Sequence, residues 1–366
     1  MNNNPSVLEI DLSSMDHNLR FFRSKLQKET KVLAVVKASG YGSDAAVVGR
    51  FLESKGVDYF AVAYADEGII LRESGIKTPI LVLHPQQQNL ELIVNYRLEP
   101  NLYSKKIFLS FLELADKLNL EAYPVHLKFN TGLNRLGFKN EDTSFLLDKL
   151  KGGRSVLLTS IFSHLVASED ENARSFTLDQ IKKFRKIASS FESSLGFRPL
   201  LHMSNTSGIL NYPEAHFDMV RLGLGLYGFS NDETVDHKLK NVLSLKSVIS
   251  QIHQVEKGEN VGYNMGYIAD RPVQTATIPL GHADGFFRSL GQNKVSVRIN
   301  NRRAPVIGNV CMDMIMVDVT GIPCEEGDQV IIFDSREDIL ELAAQANTIS
   351  YEILTSIGHR IKRVFR

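Results

Sequence analysis

Between residues 31 and 224 the chain alternates short, continuously apolar runs with longer stretches whose apolar positions recur every three or four residues. A run of the first kind reads as a strand buried on both faces, and a stretch of the second as an amphipathic helix. The apolar runs fall at 31–37, 59–63, 80–83, 98–102, 123–129, 156–163, 200–203 and 219–224. Between them lie helical segments such as DAAVVGRFLESKG, ADEGIILRESG and KKIFLSFLELADKLN. Repeated strand–helix units predict a parallel sheet, and eight of them predict a closed, TIM-like (β/α)8 barrel.

From about residue 236 the helical period stops. LSLKSVISQIHQV, VQTATIPLG, KVSVRIN, APVIGNVCMDMIMVDVT and DQVIIF are β-rich, with DILELAAQAN as one helix among them, capped by Asp338 or a neighbour. The expected fold class is therefore α/β: a barrel over 1–235 and a mainly-β domain over 236–366. The strand-like segment 6–11 and the helix SSMDHNLRFFRSKL precede the barrel, and the strand is a candidate to pair with the β domain instead.

Composition narrows the partners. Lys plus Arg and Asp plus Glu number 42 each and no like-charge run occurs, which argues against nucleic acid and an anionic membrane and for a small molecule. Cys311 and Cys324 offer neither metal-ligand spacing nor a disulfide framework, as expected of a reducing cytoplasm. The opening MNNNPSVLEI has no basic and then apolar leader, and no window of about 18 apolar residues follows, so neither export nor anchoring is expected.

The chemically distinctive residues fall at or just after the ends of the expected strands: Lys37, His84, the stretch 128–135, His164, Asn205 with Thr206, and Arg221 with Gly223. In a (β/α)8 barrel that is the face where the active site is built. Lys37 closes KVLAVVK and opens into the turn ASGYG. A lysine there is either a long side chain snorkelling to water or an amine that burial partly neutralises, as Schiff-base chemistry requires.

Eight motifs in fixed order decide between these readings: AVVKASGYG, KFNTGLNRLGF, SHLVASED, HMSNTSG, VRLGLGLYG, IPLGHADG, APVIGNVCMDM and SYEILTSIGHR. Together, from about residue 6 to the C-terminus, the chain resembles the alanine racemases, which carry pyridoxal 5′-phosphate (PLP) on an eight-stranded barrel followed by a β domain. The resemblance implies that Lys37 holds PLP as a Schiff base and, once freed, moves a proton on one face of the substrate Cα. Tyr41, Asn205, Thr206, Gly223, Leu224 and Tyr351 match phosphate-holding positions, and Arg221 matches the donor to the pyridine nitrogen. Arginine stays protonated and leaves the ring a weaker electron sink, which favours racemisation over transamination. The alternative for Arg221 is an ordinary strand-end ion pair with Asp218. His164 matches a position packed beside the ring. Arg135 and the backbone N–H of Met312 match groups that bind the substrate carboxylate, Met312 being supplied by the other subunit of a head-to-tail homodimer. Lys128 matches a lysine that is carbamylated in some members and then orients the arginine.

Two positions depart from the family pattern. The family's second proton carrier is a tyrosine in Gly-Tyr-Ala-Asp-Gly, and here the turn reads Gly281-His282-Ala283-Asp284-Gly285. Imidazole is the commonest general acid–base group, so His282 is the expected base on the opposite face. The competing readings are altered substrate choice or slow turnover, or replacement by another tyrosine such as Tyr263. Asn130 stands where an aspartate is usual, which removes a negative charge near Lys128 and Arg135. The expected function is two-base interconversion of L- and D-alanine, supplying D-alanine for cell walls. The alternatives are another small amino acid such as serine, or a related PLP-barrel decarboxylase, which would show a Gly-rich phosphate loop and a cysteine late in the β domain. A non-catalytic PLP carrier would lack the β domain.

Overall fold

The computed structural model of this chain describes residues 5–366. Eight parallel strands close into a barrel: Lys31–Val35, Tyr59–Val62, Ile80–Val82, Glu99–Leu102, Tyr123–Lys128, Val156–Phe162, Leu200–His202 and Met219–Leu222. Each apolar run expected from the sequence yields a strand, and all but Glu99–Leu102 end one or two residues before the run does. The first strand closes the barrel by pairing with the last, Val32 opposite Val220 and Ala34 opposite Leu222. Leu33, Ala34, Phe60, Ala61, Leu81 and Val82 are wholly buried, as strands between a helix layer and a packed interior require.

Among the described residues, a second compact unit comprises 5–15, 41–44 and 240–366, the barrel unit holding the rest. A nine-stranded sheet organises it, in the order Gln251–Val255, Val273–Ile278, Ile315–Asp318, Arg302–Ile307, Ser296–Ile299, Gln329–Phe333, Leu243–Val248, Val7–Ile10 and Lys362–Phe365. Val7–Ile10 runs antiparallel to Leu243–Val248 and parallel to Lys362–Phe365, so the N-terminal strand is part of this sheet. The boundary expected after residue 235 falls after 239, because hydrogen bonds hold the intervening residues to the barrel. Asp236 Oδ1 accepts from Ser230 N at 2.8 Å and Oγ at 2.6 Å, and the Lys238 carbonyl meets His17 Nε2 at 2.9 Å. Residues 41–44 join the sheet unit because both Arg363 Nε and Nη2 donate to the Gly42 carbonyl, at 3.1 and 2.9 Å.

The helix expected at DILELAAQAN runs Arg336–Gln345, and its cap is Ser335 rather than Asp338. Ser335 Oγ accepts from Asp338 N, while Asp338 Oδ2 accepts from Ser335 N at 3.3 Å, the reciprocal capping box in which the acid sits three residues inside. A second helix, Ser350–Thr355, also lies in this unit and carries Tyr351. No helix among the described residues is long and apolar enough to cross a membrane.

Candidate active site

Lys37 sits two residues beyond its strand, at the mouth of a left-handed turn. Ala38, Ser39, Gly40, Tyr41 and Gly42 have φ of 52, 53, 64, 54 and 82°. Three of these are not glycine, and each costs roughly 1–2 kcal/mol in that region. The surroundings fix it. Ala38 N donates to Glu67 Oε1 at 2.6 Å, Gly40 N to the Val36 carbonyl, and the buried Tyr227 hydroxyl to the Gly40 carbonyl at 2.5 Å. Glu67 also accepts from Ala63 N at 2.7 Å, tying the turn to the end of the next strand. Lys37 is partly buried, and desolvation together with the Arg135 guanidinium lowers its pKa, Glu67 opposing.

Arg221 is buried and, among the described residues, has no carboxylate partner. The pairing with Asp218 does not form: Asp218 takes Arg198 Nη1 at 2.9 Å and the Leu201 N–H at 2.8 Å. Arg221 instead donates from Nη1 to His202 Nδ1 at 3.0 Å. Its Nη2 faces His164 Nδ1 at 2.9 Å and the Ser163 and Met203 carbonyls at 2.8 Å each. Burial and then the nearby guanidinium hold both imidazoles well below their ordinary pKa, so both rings are neutral acceptors. Burial and Arg135 bring Arg221 down to about 9, which leaves it charged at neutral pH.

Lys128 is buried at the end of the strand Tyr123–Lys128 and shares the environment of Lys37, Arg135 and Arg221. Burial, then these three cations, push it down to about 7. The Phe162 ring lies 5.9 Å from the Lys128 ammonium and 5.5 Å from the Arg221 guanidinium carbon, a cation–π platform in place of an acid. Arg135 is exposed, on the loop after this strand. Asn130 shapes that loop: its Oδ1 accepts from Gly132 N and Asn134 N at 3.1 and 2.9 Å, and its Nδ2 donates to Asn134 Oδ1 at 2.8 Å. An aspartate would keep the two acceptor bonds and lose the donor to Asn134.

Asn205 caps the short helix Thr206–Asn211. Its Oδ1 accepts from Gly208 N at 2.9 Å and Ser168 Oγ at 2.8 Å, and its Nδ2 takes no part in either bond. Thr206 Oγ1 accepts from Gly225 N at 3.3 Å, joining this helix start to the Gly223–Leu224 turn. A Cβ on Gly225 would stand 2.6 Å from the Phe22 ring, so the turn admits no side chain there.

In the sheet unit, Tyr41 and Tyr351 place their rings 6.2 Å apart. His282 is exposed on a tight turn. Its N–H donates to the Cys311 carbonyl at 3.0 Å, and Ala283 N to the Met312 carbonyl at 2.8 Å, so His282 and Met312 ride on one rigid backbone pair. Asp284, buried behind the turn, accepts from Gly281 N at 2.8 Å and from Arg360 Nε and Nη2 at 2.5 and 2.9 Å. Met312 is 64% exposed and Tyr263 71%, with Met265, Ile268 and Met314 also exposed. His84 lies between the Tyr64 and Tyr103 rings. Sequence reasoning missed His202, Glu67 and Ser168; His202 stood inside HMSNTSG as an unremarked member of a strand.

A closed barrel whose strand ends collect two lysines, two arginines and neutral imidazoles defines a (β/α)8-barrel enzyme with a lysine-centred, anion-accepting site. Residues 10–231 match the family described as "Alanine racemase, N-terminal domain", and 242–365 "Alanine racemase, C-terminal domain". The alanine racemase of Desulfovibrio desulfuricans is 35% identical over 369 residues, covering 99% of this chain and 98% of that protein. The solved alanine racemase of Clostridium difficile 630 superposes with a TM-score of 0.93 at 32% identity, covering 100% of this chain and 96% of its own. That of Bartonella henselae, solved with covalently bound pyridoxal phosphate, gives 0.89 at 28% identity, over 99% and 100%. The chain belongs to the alanine racemase family and is an amino-acid racemase, an isomerase.

Proposed function

We propose that this protein interconverts L- and D-alanine with PLP bound at Lys37, supplying D-alanine for peptidoglycan. The observation that carries the reading is the cationic cluster Lys37, Lys128, Arg135 and Arg221, in which the buried Arg221 guanidinium is held directly by neutral groups only. Such a site fits a phosphorylated cofactor and a carboxylate substrate. Tyr41, Asn205, Thr206, Gly223, Leu224 and Tyr351 would hold the phosphate, Arg221 the ring nitrogen, His164 the ring's flank, and Arg135 with the Met312 N–H the substrate carboxylate. When bound, PLP supplies the electron sink that makes proton loss from Cα feasible.

The chain's own groups then handle the proton. Lys37, its pKa lowered by burial and Arg135, takes it from or returns it to one face of Cα. His282 serves the other face, on a turn that Asp284 and Arg360 hold in place. Because His282 and Met312 move together, the subunit that binds the carboxylate through Met312 also supplies the second base, which is the other member of a head-to-tail homodimer. Lys128, uncharged in part near neutral pH, is the amine that adds carbon dioxide with loss of a proton; the resulting carbamate would face Arg135. A mass gain of one carboxyl group on Lys128 is the expected readout.

Deuterated water tests the two bases. Wild-type protein converts either enantiomer to the other with deuterium at Cα, and Lys37→Ala abolishes this. His282→Phe loses interconversion by about 10²–10⁴-fold, the range of a general acid–base group, yet still exchanges the α-proton of one enantiomer with retention. Full interconversion by His282→Phe would assign the second base elsewhere. Serine runs beside alanine in the same assay, since one hydroxyl gives modest discrimination.

A further inference from the structure

The barrel interior contains a polar string where bulky aliphatic side chains are usual. His126, Ser160 and His202 are wholly buried, and Glu99 and Arg221 nearly so. Each comes from a different one of five successive strands, Glu99–Leu102 through Met219–Leu222. The contacts are consecutive: Arg221 Nη1 to His202 Nδ1 at 3.0 Å, His202 Nε2 to Ser160 Oγ at 3.0 Å, Ser160 Oγ to His126 Nδ1 at 2.6 Å, and His126 Nε2 to Glu99 Oε2 at 2.7 Å.

Donor–acceptor rules orient the string. A guanidinium only donates, so His202 Nδ1 is an acceptor and its proton sits on Nε2. That proton goes to Ser160 Oγ, whose single hydrogen is then directed at His126 Nδ1. His126 carries its proton on Nε2 and gives it to the Glu99 carboxylate. Three neutral dipoles thus point the same way between a cation and an anion, the arrangement in which hydrogen bonds reinforce one another. The Tyr59 hydroxyl also bonds to Glu99, and the half-buried Arg72, spent on the Ile76, Thr78, Tyr96 and Arg97 carbonyls, lies within electrostatic reach of it.

We propose that Glu99 is the counter-charge of Arg221, acting through His126, Ser160 and His202, and that this string is a positioning device that sets the strength of the Arg221 donor. It answers why a buried guanidinium persists without an acid beside it. The effect on catalysis rests on the proposed placement of the cofactor ring at Arg221; the string itself does not.

The test reads the histidines directly. In ¹⁵N-histidine-labelled holoenzyme, His126 and His202 are expected as Nε2–H tautomers with slowly exchanging ring protons. Glu99→Gln, which keeps an acceptor but removes the charge, should shift the His202 Nε2–H resonance. It should also lower kcat about tenfold at unchanged KM, the scale of coupling through a packed network. Ser160→Ala should act in the same direction. An Nδ1–H tautomer at either ring in the wild type overturns the string. A Glu99→Gln variant with the His202 resonance unmoved overturns the coupling, and one with kcat unmoved overturns the role in catalysis. If the cofactor ring proves not to lie at Arg221, the tautomers and the Glu99→Gln shift still decide whether the string exists.

Discussion

Lys128 shows at the level of one residue how the site's chemistry is set against stability. Its amine is pushed down to about 7 from 10.5 by burial and by Arg135, Arg221 and Lys37. The unfolded chain keeps this proton up to the higher value, so between about pH 7 and 10.5 the unfolded state binds more protons and stability rises with pH. Below about pH 7 both states are protonated and the cost of the buried charge is fully present. In buffer free of carbon dioxide, Lys128→Met should therefore be more stable than wild type at pH 6. The gap in Tm should close progressively toward pH 10, and a gap independent of pH would remove this account of Lys128. The sequence announced Lys37 and Arg221 through their motifs. It did not announce His126, Ser160 and His202, because in a strand buried on both faces no alternation separates a residue lining the interior from one facing the helices. Asn130 stood out as a departure, but its hydrogen bond to Asn134 depends on a loop geometry that spacing does not encode.

At the scale of elements, the strands were legible because parallel strands leave unbroken apolar runs; their last residues were not, since apolar residues continue into the loops that build the site. The turn after Lys37 is the clearest case. Gly40 and Gly42 signalled a turn, while Ala38, Ser39 and Tyr41 gave no hint that it stays left-handed for five residues. Gly42 has the least freedom: φ is 82°, and a Cβ would approach the Leu354 carbonyl oxygen to 2.1 Å. Gly42→Ala should lower the unfolding free energy by more than about 2 kcal/mol, left-handed strain adding to overpacking against backbone. Denaturant midpoints check this, and a change within about 0.5 kcal/mol, as for a neutral surface site, would mean the turn relaxes freely.

For the whole molecule, the order of motifs carried the barrel and the sheet unit together, and the chain's first strand completing the second unit's sheet follows from pairing partners far apart in sequence. The proposed head-to-tail dimer makes each site depend on two chains, Lys37 from one and His282 from the other. A doubly tagged dimer carrying Lys37→Ala on one subunit and His282→Phe on the other tests that claim most directly. Of its two sites one keeps both bases and the other keeps neither, so it should racemise alanine at about half the wild-type dimer's rate, while each single-variant dimer is inactive, as closed two-fold symmetry requires. A mixed dimer as inactive as its parents, or a His282→Phe dimer that racemises at the wild-type rate, would contradict a site built from Lys37 and His282 of different subunits.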